Sequence, residues 1–170
     1  MSVKLEMPDL KYWESYERVF ETIDLEGSVK GMNWDGKSTP DTFIQDARDM
    51  KEGRNLGELV PCTNFWIISN EEYVGRMSIR HELNDWLRNF GGHIGYEVIE
   101  SARKKGHASR AMSLALGYCK DELNLKNLLI TCDDRNTPSI RVIEKNNGKL
   151  IEKRDVGNGR ISRYYEIVLS

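Results

Sequence analysis

Three consecutive segments in the second half of the chain predict a strand, a helix and another strand. In residues 93–99 the apolar side chains alternate with period 2, as in a strand with one buried face. Apolar residues then recur at helical spacing over residues 108–123, and residues 127–132 have the apolar character of a buried strand. A strand, helix and strand in this order predict a parallel pair joined by a right-handed crossover. We therefore expect an α/β architecture.

The rest of the chain carries shorter helix and strand patterns. Apolar spacing predicts a first helix over residues 9–23, and Thr39-Pro40 forms the expected start of a second helix that continues to Gly53. No strand is predicted before residue 64. The other predicted elements are a hairpin of residues 65–69 and 73–79, a polar loop over 80–91, a helix over 138–145, and a closing hairpin of residues 149–153 and 161–169.

Composition limits the classes of function that this chain can have. Its 170 residues are expected to form a single domain over residues 1–170. The formal net charge of −2 provides no field to attract nucleic acid or an anionic membrane, and no apolar run approaches the ~20 residues that span a bilayer. The three cysteines have no metal-ligand or disulfide pattern. We expect a cytoplasmic protein with no metal and no nucleic-acid or membrane partner.

The segment from Arg103 to Ser109 lies between the predicted strand and helix, where a phosphate group can bind. Backbone N–H groups at a helix start have no internal partner and sit at the positive end of the helix dipole. Gly106 allows close approach, and the neighbouring Arg, Lys and Ser side chains add cationic and hydroxyl donors. A solvated turn is the alternative interpretation. The glycine patterns of dinucleotide-binding and nucleoside-triphosphate loops are absent.

The pattern Arg103-x-x-Gly106-x-Ala108 resembles the signature of the Gcn5-related N-acetyltransferase (GNAT) family, particularly of uncharacterised bacterial members. The strand before it, the segment 131–136 and the helix from Asn136 to Lys145 are similar to the family's fourth strand, fifth strand and CoA-contacting helix. The resemblance implies one α/β (α+β) domain with a mixed, mostly antiparallel sheet. In that fold the parallel fourth and fifth strands splay apart and about four helices flank the sheet.

The resemblance also implies that acetyl-CoA enters the splay like an added strand. The main chains of Tyr96 and Val98 would bind pantetheine, the Arg103 loop would bind the pyrophosphate, and Asn136 would contact the CoA arm. The Val98 N–H would stabilise the oxyanion. The full set of implied cofactor-binding residues is Tyr96, Val98, Arg103, Lys104, Lys105, Gly106, His107, Ala108, Ser109, Asn136 and Ser139.

The sequence departs from the family at the proton-transfer positions. Gly92 stands where the histone-acetylating branch has a glutamate base, and Ile143 stands where many members have a tyrosine acid. His93 and Glu97 are the remaining candidates for the base, and an ordered water could replace them. The alternatives are a histidine bonded to nearby backbone and an exposed carboxylate. Cys132 lacks a base and is expected to be a small buried hydrophobe rather than a nucleophile.

The sequence gives less information about the acceptor substrate than about the cofactor. The resemblance implies an acceptor site built largely from the first helices, the loop between them and the last hairpin. The candidate residues there are Trp34, Asp35, Asp41, Trp86, Arg163, Tyr164 and Tyr165. A primary amine of a small molecule or amino acid is the leading hypothesis. A protein N-terminus or lysine, and an acyl-CoA-binding module without catalysis, are the alternatives. A homodimer through a sheet edge or the last hairpin is compatible with the sequence.

Overall fold

Two antiparallel sheets form the framework of the computed structural model, which describes residues 2–20 and 34–170. The first sheet has the order β1-β2-β3-β4, and the second has the order β5-β7-β6. The strands are β1 (Val3–Glu6), β2 (Cys62–Ser69), β3 (Glu72–Arg80), β4 (Ile94–Val98), β5 (Asn127–Asp133), β6 (Lys149–Asp155) and β7 (Ile161–Val168).

Five α-helices accompany these sheets in the described residues: α1 (Trp13–Val19), α2 (Pro40–Lys51), α3 (Asp85–Asn89), α4 (His107–Asp121) and α5 (Thr137–Lys145). The predicted start of α2 is confirmed, because the Thr39 side chain accepts the N–H of Thr42 and Pro40 occupies the first turn. The end of the first predicted helix, residues 21–23, lies outside the described residues. No helix in the described ranges is long and apolar enough to cross a bilayer.

Two elements differ from the sequence prediction. The prediction that no strand precedes residue 64 was wrong, because β1 pairs antiparallel with β2 in a register that sets Val3 opposite Ser69. The predicted polar loop over 80–91 contains α3, which begins where the Asn84 side chain accepts the N–H of Leu87 at 2.9 Å. Both elements are too short, at four and five residues, to carry a clear periodic pattern.

Two buried clusters hold helices against the two faces of the first sheet. The larger cluster joins β3, β4 and β5 to α4 and α5; its members include Met77, Ile94, Met112, Ile130 and Ile143. The second is aromatic and joins α1 and α2 to β2 and β3; it contains Tyr12, Trp13, Tyr16, Phe43, Trp66, Ile68 and Tyr73. Strand β2 is buried along its whole length because alternate residues enter the two clusters.

The predicted α/β domain with a splayed sheet and flanking helices is confirmed. Instead of one mixed sheet, the strands form two antiparallel sheets that separate at the splay. The reason is that β5 pairs with β7 rather than with β4. Between β4 and β5 the described chain forms one isolated bridge, Gly92 to Ile130, with an antiparallel pattern. The larger buried cluster spans both sheets and holds the two sides of the splay together.

Candidate functional site

A gap opens between β4 and β5, which lie in different sheets. The two strands meet at one end, where the His93 N–H donates to the carbonyl oxygen of Leu129 at 2.7 Å and Gly92 bridges to Ile130. Beyond this contact, no backbone hydrogen bond joins β4 to β5 in the part of the chain that the structure describes. Within residues 2–20 and 34–170, one edge of β4 is therefore unpaired.

The register of β3 and β4 decides which backbone groups face this gap. Backbone hydrogen bonds join His93 to Arg80 and Ile99 to Val74 at the two ends of β4. Because bonded and non-bonded pairs alternate in an antiparallel ladder, every second residue between these ends faces away from β3. The residues whose backbone N–H and C=O groups face the gap are Ile94, Tyr96 and Val98. Two of them are the predicted pantetheine contacts.

The side chain of Arg103 folds back onto this edge. Its Nε donates to the carbonyl oxygen of Val98 at 3.0 Å. The Val98 carbonyl is thus occupied, whereas the Val98 N–H still faces the gap. Arg103 was predicted as a cation for pyrophosphate, and among the described residues no acceptor contacts its two terminal nitrogens. These nitrogens retain the planar donor geometry that phosphates favour.

The turn before α4 presents a row of unpaired backbone N–H groups. Lys104 and Gly106 have left-handed φ values of 61° and 81°, and Gly106 is the N-cap of α4. The N–H groups of residues 104–109 have no hydrogen-bond acceptor within the described chain. Consecutive N–H groups at the positive end of a helix dipole form a site for phosphate oxygens.

The side chains of this turn have separate environments. Lys105 Nζ donates to the carbonyl oxygen of Ser101 at 3.0 Å, whereas His107 is buried and its Nδ1 has no partner among the described residues. Burial lowers the pKa of His107, with a smaller contribution in the same direction from Lys105. Buried polar groups normally have hydrogen-bond partners. A bound anion would supply partners for His107 Nδ1 and for the neighbouring N–H groups. The residues present therefore fit the diphosphate of CoA.

Tyr96 of β4 lies close to Cys132 of β5 and Ser139 of α5 beside the gap. The Tyr96 hydroxyl is buried without a hydrogen-bond partner in the described chain; burial raises its pKa, and the nearby Ser139 opposes this. Burial also raises the pKa of the Cys132 thiol to about 11, so at neutral pH it is protonated and a poor nucleophile. Asn136 caps α5, because its Oδ1 accepts the Ser139 N–H at 3.1 Å.

His93 joins β4 to β5 through its ring as well as its backbone. Its Nδ1 accepts the N–H of Leu129 at 2.9 Å, and the side chain is 9% exposed. Burial lowers the pKa of the ring, which favours the neutral form. A neutral imidazole that accepts at Nδ1 carries its proton on Nε2, so neither nitrogen has a free lone pair while this bond lasts. The bond matches the backbone-bonded alternative for His93.

Glu97 points to the opposite face of β4 from Tyr96, toward the aromatic cluster. Its carboxylate forms a cross-strand ion pair with Arg76, with 3.4 Å between Oε2 and Nε. The Glu97 side chain is 24% exposed, so it is less solvated than the free surface carboxylate of the alternative interpretation. Of the two predicted bases, Glu97 is the one with a lone pair available to accept a proton.

A pocket of about 230 Å³ lies beside the far end of β5. It is lined by Phe90, Gly91, Thr131, Cys132, Asp133, Val156, Arg160, Ile161 and Ser162. Hydrogen bonds from Arg135 are the main cause that lowers the pKa of Asp133 to about 2, so this carboxylate is anionic at neutral pH. Among residues 2–20 and 34–170, no group of His, Cys, Asp or Glu side chains is arranged to hold a metal ion.

Most residues expected in the acceptor site have structural partners. Trp34 packs edge-on against Trp13 with 5.2 Å between ring centroids, and Arg163 donates from Nε to Asp134 at 2.5 Å. Tyr164 and Tyr165 are buried. By contrast Trp86 is 63% exposed and pairs with Phe90, which lines the pocket. Asp35 is exposed in the turn before α2, where it accepts hydrogen bonds from Lys37 and Ser38. Asp41 is exposed in the first turn of α2.

Two residues near the site make contacts that the sequence analysis did not predict. Asn146 ends α5 and contacts Ser109 in the first turn of α4. A polar residue after a helix resembles an ordinary C-cap, so no local signal separates it from one. Gly92 has φ +63° and lies against Leu129. The Gly91-Gly92 pair before β4 was the available signal for this close approach.

A protein-family model and a sequenced relative that match this chain are both described as acetyltransferases. Residues 13–149 match the family model described as an acetyltransferase (GNAT) domain. A Bacillus subtilis (strain 168) protein described as uncharacterized N-acetyltransferase YnaD is 39% identical over 63 residues. That match covers 35% of this chain and only 37% of the relative.

Solved structures share the fold over nearly the whole chain. A GNAT-family acetyltransferase from Bacillus anthracis has a TM-score of 0.66 at 21% identity, covering 99% of this chain and 95% of its own. The microcin C7 self-immunity acetyltransferase MccE, solved with acetyl-CoA and AMP, has a TM-score of 0.67 at 18% identity, covering 98% and 92%. The ribosomal L7/L12 α-N-protein acetyltransferase RimL, solved with coenzyme A, has a TM-score of 0.67 at 15% identity, covering 99% and 95%.

Proposed function

Since the chain belongs to the GNAT acetyltransferase family, we propose that it transfers acetyl from acetyl-CoA to a primary amine of a small molecule or amino acid by direct attack in a ternary complex. The observation that carries this proposal is the row of N–H groups over residues 104–109, which have no acceptor among the described residues and lie beside an open strand edge. A diphosphate at the turn and an extended amide chain along β4 would satisfy both sets of groups.

The cofactor would lie along the residues that face the gap. The diphosphate would accept from residues 104–109 and from Arg103. The pantetheine amides would bond to the backbone of Tyr96 and to the second lone pair of the Val98 carbonyl oxygen, whose first lone pair accepts from Arg103. Asn136 and Ser139 at the start of α5 would border the same arm. In the reaction the neutral amine nitrogen bonds to the thioester carbon and the carbon–sulfur bond breaks. The nitrogen loses a proton as the amide forms, and the sulfur takes up a proton, so CoA leaves as the thiol. The Val98 N–H would stabilise negative charge on the carbonyl oxygen.

The amine must lose a proton to react, and this step has two candidate bases. We favour Glu97, directly or through water, because the Nδ1 bond to Leu129 occupies the lone pair of His93. Glu97→Gln is then expected to lower kcat about 100-fold with CoA affinity unchanged, whereas His93→Asn preserves an acceptor for Leu129 and retains activity. The reverse pattern would assign the base to His93.

The acceptor amine would enter through the pocket beside β5. The apolar Phe90, Val156 and Ile161 would contact a small hydrocarbon part of the acceptor. The pocket's carboxylate, Asp133, already pairs with Arg135 and Arg160, so an ammonium group would compete with these arginines for it. The three cysteines are free thiols, as expected for a reducing compartment, so we place the reaction in the cytoplasm. A protein N-terminus as acceptor is the second candidate, because RimL is described as an α-N-protein acetyltransferase.

The test combines cofactor binding with a search for the acceptor. Purified protein, acetyl-CoA and a cell metabolite extract are incubated, and mass spectrometry identifies any compound that gains an acetyl group. Gly106→Val should lower CoA affinity at least about tenfold, because its φ of +81° strains a β-branched residue. Gly117→Ala, a change in open space within α4, is the matched control and should bind CoA normally.

Each result of this test separates one hypothesis from another. Acetylation of a peptide N-terminus without any acetylated metabolite would favour the protein substrate. CoA binding without any acetylated product would favour the acyl-CoA-binding module. If calorimetry at millimolar CoA detects no binding, the transferase proposal fails.

A further inference from the structure

Asn146 connects the end of α5 to the beginning of α4. Its side-chain nitrogen lies 2.8 Å from the carbonyl oxygen of Val142, 3.3 Å from Ser109 Oγ and 3.4 Å from the carbonyl oxygen of Ser109. The residue is 8% exposed, so these contacts are made away from water. An uncharged amide is thus buried against the turn whose N–H groups lack acceptors.

The orientation of the Asn146 amide follows from its partners. Two of the three neighbouring atoms are carbonyl oxygens, which only accept hydrogen bonds. The nitrogen must therefore face them, since the reversed amide would set three oxygens against one another. One N–H is directed to Val142, and the second is shared between the two oxygens of Ser109.

This arrangement directs the hydroxyl hydrogen of Ser109 away from Asn146. Ser109 Oγ accepts from the amide, so its own hydrogen remains for another acceptor. A serine inside a helix commonly donates to the carbonyl one turn earlier, but no such bond forms here within the described chain. The hydroxyl donor therefore lies in the same turn as the unpaired N–H groups of residues 104–109.

We propose that Asn146 is a positioning residue for the CoA diphosphate: it holds Ser109 so that the serine hydroxyl and the first turn of α4 donate to phosphate oxygens. This inference rests on the proposed function, because it assigns a role within the same CoA site. Asn146 itself does not touch the cofactor. It acts by fixing the donor of a neighbouring helix against α5.

The experiment measures binding of CoA and of two fragments that contain different parts of it. Calorimetry gives the CoA affinity, and inorganic pyrophosphate and pantetheine are titrated as competitors. Asn146→Ala should weaken pyrophosphate binding between about twofold and tenfold, the effect of one uncharged hydrogen bond, and leave pantetheine binding unchanged. In a Ser109→Ala background, the same change should have less than about half that effect, because the two residues act together.

The controls separate positioning from a general loss of structure. Asn127→Ala, at an exposed position in β5, should leave all three affinities unchanged. Circular dichroism verifies folding, and Asn146→Ser replaces the alanine variant if that variant does not fold. Equal loss of pyrophosphate and pantetheine binding, full additivity with Ser109→Ala, or no competition by pyrophosphate against bound CoA would overturn the inference. Failure of the wild type to bind CoA would instead overturn the proposed function.

Discussion

At the scale of single residues, His93 shows how surroundings decide the chemistry of a side chain. A histidine beside a strand is a reasonable base from sequence, because its ordinary pKa is near ~6.5. In the fold, the ring accepts the Leu129 N–H and is removed from water. Burial keeps the ring neutral, and the bond to Leu129 occupies its Nδ1 lone pair. These contacts support the proposal that His93 joins the two sides of the gap and that Glu97 is the base.

This role predicts a pH dependence of stability. Burial lowers the pKa of His93 in the folded state, so the unfolded state binds the proton more tightly. The stabilisation is complete above the unfolded pKa of ~6.5 and is lost as the pH falls from that value toward the lowered one. The pKa values of His81 and His107 are lowered in the same direction. The free energy of unfolding, measured with urea, should fall below about pH 6.5.

The variant that tests this dependence is His93→Asn, whose Oδ1 can accept the Leu129 N–H without titrating. Its free energy of unfolding should fall less steeply below about pH 6.5 than that of the wild type. An equal slope in both proteins would show that His93 does not contribute. Asp133, whose pKa is lowered to about 2, changes its charge at a more acidic pH than His93, so it does not affect this comparison.

At the scale of elements, one glycine fixes how closely β4 approaches β5. A Cβ on Gly92 would lie 2.3 Å from the carbonyl oxygen of Leu129 and 3.2 Å from Cα of Ile130. The φ of +63° would strain any other residue as well. Gly92 therefore allows contact at one end of the gap, while the remainder of the two strands separates.

Gly92→Ala should lower the free energy of unfolding by about 2 kcal/mol or more, because it adds both a backbone clash and an unfavourable φ. It should also weaken CoA binding, since the gap would open from its joined end. Urea unfolding and calorimetry measure the two effects. Gly117→Ala is the control: it should raise helix stability by up to about 1 kcal/mol and leave CoA binding unchanged. A Gly92→Ala protein of wild-type stability would contradict this account.

At the scale of the whole molecule, the buried cluster behind the gap joins two sheets that share almost no backbone hydrogen bonds. Side chains of β3, β4, β5, α4 and α5 pack in this single cluster. We therefore expect both sheets to unfold in one transition. A ligand that bonds along β4 and at the head of α4 would bind only the folded arrangement.

CoA at 100 times its dissociation constant should stabilise the protein by about 2.7 kcal/mol. For a chain of this size, that corresponds to an increase in Tm of several degrees, on the order of 5 °C. Differential scanning calorimetry with and without CoA measures the shift, and Gly106→Val at the same CoA concentration should show a smaller one. Two separate transitions, or a Tm that CoA leaves unchanged, would contradict this expectation.

Sequence patterns predicted an element correctly where the contacts that form it lie within a few residues along the chain. The β2–β3 hairpin, the Thr39 cap of α2, the helix α4 and the glycine turn before it were predicted from spacing and residue type. Their physical basis is local, since helical and strand periodicities and caps depend on neighbours up to about four residues away. The same local reasoning failed for β1 and α3, whose lengths are too short to show a period.

The sequence by itself therefore determined the order of the main elements and the turn of N–H groups before α4. Only the tertiary structure decided that β5 would pair with β7 and leave β4 open. The same is true of the His93 bond to Leu129 and the Asn146 bond to Ser109, which join residues 36 and 37 positions apart. Such contacts depend on how whole elements pack around the shared core. The residues next to His93 or Asn146 in the sequence do not indicate which partner that packing places within hydrogen-bond distance.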